Sequence, residues 1–158
     1  MILNVGLPAL QFLRLSGFSP IITTASLRNS DLVKGYGATH VVDRTLPASA
    51  VAAEIKRIAG GPITLVYDAI SLTETKNLAF DVLAPGGSLV LVLPEDLDGY
   101  KRPEGVQANV MSAAGELSFP QNRDLGIRFA TEFEKLLQQG LIKVGPLSTP
   151  PSLTRSSD

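Results

Sequence analysis

Three places in this chain carry residues whose type and position suit chemistry. Val5-Gly6 stands directly before a helical pattern. A helix N-terminus carries partial positive charge and free N–H groups, so this turn can present donors to a pyrophosphate. An ordinary loop-to-helix glycine is the other reading of so short a pair. Asp68 follows an apolar strand pattern and would lie at the carboxyl edge of a parallel sheet, where ligands bind in such folds. A structural hydrogen bond to a neighbouring loop would explain it equally well. His40, the single histidine, sits before a strand pattern and reads as an edge residue. With one histidine and no cysteine, disulfides and thiolate or multi-histidine metal sites are excluded. No Ser/His/Asp set and no carboxylate pair stands out. No catalytic residue and no metal ligand is therefore assigned.

The totals set the frame for these residues. A length of 158 residues allows one domain with a real core. Hydrophobic residues at 44% and charged residues at 18% match a globular chain and not a disordered one. A formal charge of −1 provides no positive field for nucleic acid or an anionic membrane surface. No apolar run approaches the roughly 18 to 20 residues of a membrane span, and the N-terminus lacks the features of a signal peptide. The absence of cysteine is compatible with the cytosol, and a cytoplasmic location is expected.

The elements that must position those residues alternate along the chain. Residues 7–15 read as a helix with a broad apolar face, ended by Ser16-Gly17. Residues 20–24 are a β-branched strand. A weak helix over 30–36, capped by Asn29 or Ser30, precedes a strand at 39–43. Ser49 is expected to cap a helix running to 59. Residues 63–69 and 88–93 are apolar on both faces, as central parallel strands should be. Between them lie a helix over 73–83 and a tight turn at Pro85-Gly86-Gly87. Residues 110–119 hold a candidate last strand. A helix from Asn122 to 139 carries an apolar stripe at Leu125, Phe129, Phe133, Leu136 and Leu137, with Arg128 and Glu132 at pairing distance on its polar face. This alternation predicts an α/β fold with a parallel sheet covered by helices on both faces. Residues 147–158, rich in Ser, Thr and Pro, are expected to be a disordered tail.

Five segments in order resemble the cofactor domain of the medium-chain dehydrogenase/reductase superfamily, nearest its zinc-free quinone-oxidoreductase and enoyl-reductase branch. Val5-Gly6 with Ala9 and Gln11 is similar to the "VG-x-x-A-x-Q" helix start. Ile22-Thr23-Thr24-Ala25-Ser26 follows. Gly37-Ala38-Thr39-His40-Val41-Val42-Asp43 resembles "LGATHVID". Tyr67-Asp68-Ala69 resembles the "V-x-D-x-x-G" strand end, and Leu83-Ala84-Pro85-Gly86-Gly87-Ser88 the "L-x-x-x-G-x-x-V" turn. The resemblance covers residues 5–144. It implies a Rossmann-like, doubly wound parallel sheet over residues 1–146, binding a dinucleotide and transferring hydride to a carbonyl or an activated C=C.

The departures shape the expectation. In the family a catalytic domain precedes the cofactor domain, and the first strand precedes Val5; here only Met1 to Asn4 stand there. The sheet is thus expected to be incomplete, its first strand largely missing, with the second and fourth strands lacking their shared neighbour. The chain would then be inactive alone. After the second strand an NAD site usually places an acid for the ribose 2′-hydroxyl. This chain has Ser26 and Arg28 there and no acid before Asp31, which favours NADP over NAD. Capping by Ser26 and a solvated Arg28 are the plainer readings. Cofactor-binding candidates are therefore Val5, Gly6, Ser26, Arg28 and Asp68. A homodimer is the assembly the resemblance leaves open. The competing classes are an S-adenosylmethionine-dependent methyltransferase, for which Leu83 to Gly87 resembles an "L-x-P-G-G" turn, and a non-catalytic truncated fragment.

Overall fold

The computed structural model describes residues 6–97, 99–112 and 120–144. The first helix, α1 (Gly6–Leu15), buries Leu7, Leu10 and Gln11, the i, i+3, i+4 spacing of one helical face. Then come β1 (Ile22–Ala25), a 3-10 turn (Leu27–Asn29), α2 (Ser30–Gly35), β2 (His40–Asp43), α3 (Ala48–Ala59) and β3 (Ile63–Asp68). The chain continues through α4 (Thr73–Val82), β4 (Leu83–Leu91) and β5 (Asn109–Ser112), and ends its described part with α5 (Arg123–Gln138). Val5, Met1 to Asn4 and the tail 147–158 lie outside the described residues.

Several local expectations are corrected. Ser49 lies inside α3; Pro47 holds the capping position, and it has no side-chain acceptor to cap the first turn. Neither Asn29 nor Asn122 makes a capping bond with its side chain. The turn at residues 85–87 does not precede β4 but interrupts it. Leu83 already pairs with Ile63, and the register shifts before Leu65 pairs with Ser88. Gly86, at φ +77°, takes up that irregularity. On α5, Glu132 pairs with Lys135 at 2.8 Å.

Every strand pairing among the described residues is parallel. The sheet falls into two parts, β1-β2 and β3-β4-β5. Among the described residues no strand joins β1 to β3, and the expectation of a largely missing first strand falls on Met1 to Asn4, outside them. Each part has its own buried cluster. Leu7, Leu10, Ile21, Ala25, Val33 and Ala38 pack α1 and α2 on the first. Ala79, Phe80, Leu89 and Leu91 pack α4 on the second. Burial of apolar surface in these clusters supplies the main stabilisation. The chain beyond α5 returns to α1 through a side chain that imitates a strand. Gln11 accepts from the Lys143 N–H at 2.6 Å and donates to the Lys143 carbonyl at 3.1 Å. No helix among the described residues is long and apolar enough to cross a membrane.

Candidate dinucleotide site

The parallel arrangement puts all strand carboxyl ends on one edge, and α1 starts there. Leu7, in the first turn of α1, shares a buried cluster with Ala25, the last residue of β1. A Cβ built on Gly6 would lie 3.8 Å from the Cβ of Ala69, just past β3. The N-terminus of α1 is therefore wedged between the ends of β1 and β3. No acidic residue occupies its first turn, so nothing on the helix neutralises its positive end. This is the crevice where a doubly wound sheet takes a diphosphate.

Ser26 follows β1 and is half-buried, and Arg28 is exposed in the 3-10 turn. The Ser26 carbonyl accepts from the Asn29 N–H at 2.8 Å, while its hydroxyl caps nothing. Among the described residues neither the Ser26 hydroxyl nor the Arg28 guanidinium has a bonded partner. The capping role that would explain Ser26 plainly is thus not taken up.

Asp68 is buried and is consumed by its own loop. Its Oδ1 accepts from the N–H groups of Ile70 and Ser71, each at 2.9 Å, and its Oδ2 accepts from the Thr75 hydroxyl at 2.7 Å. An Asp two and three residues ahead of free N–H groups closes such a turn as a backbone carbonyl would. His40 begins β2 and so stands at the amino edge, away from Gly6, Ser26 and Asp68; it pairs with the Thr39 hydroxyl at 2.9 Å. Burial pushes the Tyr67 phenol above its ordinary pKa.

Three residues of this edge escaped the sequence reading. Ser71 and Thr75 complete the Asp68 network, and Lys76 is wholly buried. Its ammonium donates to the Glu95 carbonyl at 2.8 Å and lies 4.5 Å from the Tyr100 ring centroid. One signal was present: Ser71 stands at the glycine position of the "V-x-D-x-x-G" pattern. Beyond it, Arg102 grips Glu95 through two bonds of 3.0 and 2.8 Å. That grip holds the Glu95 carboxyl below its ordinary pKa.

A family model described as zinc-binding dehydrogenase matches residues 4–97. The chain belongs to that family. A trans-enoyl reductase of Penicillium crustosum is 29% identical over 157 residues, which cover 90% of this chain and 42% of that protein. One from Talaromyces wortmannii is 31% identical over 160 residues, covering 90% of this chain and 42% of its own length. The chain thus spans about two-fifths of these curated relatives. The fold is shared with Escherichia coli quinone oxidoreductase complexed with NADPH. That match has a TM-score of 0.72 at 20% identity, over 90% of this chain and 44% of that one. These matches lie within the medium-chain dehydrogenase/reductase superfamily, whose cofactor domain this chain carries. The methyltransferase alternative finds no place beside the family match. The zinc of the family's description does not fit the described residues. They bring no three His, Cys, Asp or Glu side chains together, and the chain has no cysteine.

Proposed function

We propose that this chain holds NADPH in an oxidoreductase that reduces a carbonyl or an activated C=C. A bound NADPH would supply the hydride. The chain's part is to bind and orient it. Gly6, with Val5 before it, offers main-chain donors to the pyrophosphate at the α1 N-terminus. Ser26 and Arg28 bind the 2′-phosphate, and Asp68 keeps the turn after β3 in shape beside the crevice. The observation that carries the reading is the wedge of α1 between β1 and β3, with an unpartnered hydroxyl and guanidinium beside it and no acid in the ribose-reading loop. Support for the reduced double bond comes from the relatives named trans-enoyl reductases. A cytoplasmic location and a homodimer belong to the same proposal, the latter on the family likeness.

The test is calorimetry with NADPH and NADH on the chain and its Ser26→Ala, Arg28→Ala double variant. NADPH should bind more tightly than NADH. The double variant should lose roughly ten- to a hundredfold of NADPH affinity, as for hydrogen bonds to charged groups, with NADH affinity unchanged. Equal binding of the two dinucleotides by the unaltered chain, or an unchanged preference in the variant, would falsify the assignment.

A further inference from the structure

Ser71 has a backbone that serine rarely adopts. Its φ is +60°, and among the described residues it is the one non-glycine residue at positive φ. It is also buried, at 3% exposure. A strained residue at the functional edge of a sheet persists only when its surroundings hold it there. The hydroxyl shows what does so. Ser71 Oγ donates to the Asp68 carbonyl at 3.2 Å. It accepts from the N–H groups of Val92 at 2.9 Å and Leu93 at 3.3 Å. One donor and two acceptor positions are all a serine hydroxyl has, and each is used.

These three bonds join the end of β3 to the end of β4. The last paired residues of the two strands are Asp68 and Leu91, so Val92 and Leu93 are the first N–H groups past the ladder. Ser71 takes both of them. Leu72, next to Ser71, and Leu93, itself bonded to Ser71, stand exposed by 51% and 38% at this edge. A dinucleotide whose pyrophosphate sits at α1, with its adenosine half over β1, lays its other half over β3 and β4.

We infer that Ser71 is a positioning residue: its hydroxyl, presented from a left-handed backbone, ties the two loops that form the floor under the nicotinamide half of the bound cofactor. This rests on the dinucleotide reading. Glycine fits the backbone but has no hydroxyl. Threonine has the hydroxyl but is β-branched, which opposes positive φ. Serine is the compromise between the two demands.

The test compares two ligands on the whole chain: NADPH, and 2′,5′-ADP, which carries the adenosine half and its phosphates only. The variants are Ser71→Ala and Ser71→Gly. Glycine suits φ +60°, so Ser71→Gly keeps the test intact should the alanine variant fail to fold. Calorimetry should show NADPH affinity lowered roughly three- to tenfold, the range for loss of one or a few neutral hydrogen bonds, with 2′,5′-ADP affinity unchanged. A merely structural role would weaken both ligands together, and that outcome overturns the inference. So does NADPH binding that is indifferent to both variants. If the unaltered chain binds neither ligand, the dinucleotide reading itself fails and this inference goes with it.

Discussion

At the scale of single residues, backbone conformation does much of the work at this site. Ser71 is one case and Gly37 is another. Gly37 adopts φ +122°, and a Cβ there would lie 2.8 Å from the Leu10 carbonyl oxygen and 3.2 Å from the Arg14 Cβ. The first of these is main chain of α1 and cannot swing aside. Gly37→Ala should therefore push α1 away from α2 and destabilise the fold by about 2 kcal/mol or more, above the range of a tolerated Gly→Ala exchange. Urea unfolding followed by circular dichroism reads this directly; a midpoint equal to the parent chain's would show that the contact relaxes freely. The same shift would move the α1 N-terminus against β1, so the crevice at the carboxyl edge should suffer with it.

Between elements, the segment from β4 to β5 is held by side chains and not by a strand ladder. Tyr100 stacks on Phe80 of α4 with centroids 6.3 Å apart and donates to Asn77 at 2.9 Å. Arg102 lies over the Phe80 ring at 5.5 Å while pairing with Glu95. Because Arg102 lowers the Glu95 pKa, the carboxylate form is favoured in the folded state. The stabilisation is fully present above the ordinary Glu value of 4.5 and fades as pH falls through the lowered folded value. The pair is partly solvated, with side chains 34% and 25% exposed, so its contribution should stay under about 1 kcal/mol. Thermal melts from pH 7 down to pH 3 should show Arg102→Gln losing its deficit against the parent as Glu95 protonates. A deficit that stays constant across that range would mean the ion pair is not the clamp.

For the molecule as a whole, the proposed function asks the carboxyl edge to hold a cofactor. On that proposal, main-chain donors, a hydroxyl and a guanidinium at this edge would bind and orient it. Both oxygens of Asp68 are engaged, and His40 is at the opposite edge. Reduction of an enone or a carbonyl needs a proton for the second centre. Neither Asp68 nor His40 is therefore placed to supply it.

How much of this was legible in sequence depends on how local each feature is. The runs at residues 63–69 and 88–93 are apolar on both faces, and that alone implied buried parallel strands; the structure has β3 and β4 there, paired in parallel. The helix start at Gly6 and the strand end at Asp68 could be found because both are written in a few consecutive residues. The cap expected at Ser49 failed because the helix begins one residue earlier, at Ala48, with Pro47 in the capping position. What the sequence could not decide were pairings between distant residues. The hydroxyl of Ser71 meets Val92, the amide of Gln11 meets Lys143, and the ammonium of Lys76 meets Glu95. A lysine on a helix reads as solvated, because burying its charge is costly unless partners receive it, and those partners arrive only when the β4–β5 segment folds over α4. Periodicity reports the face of an element. Which groups meet across two faces is decided only when the sheet and its helices pack.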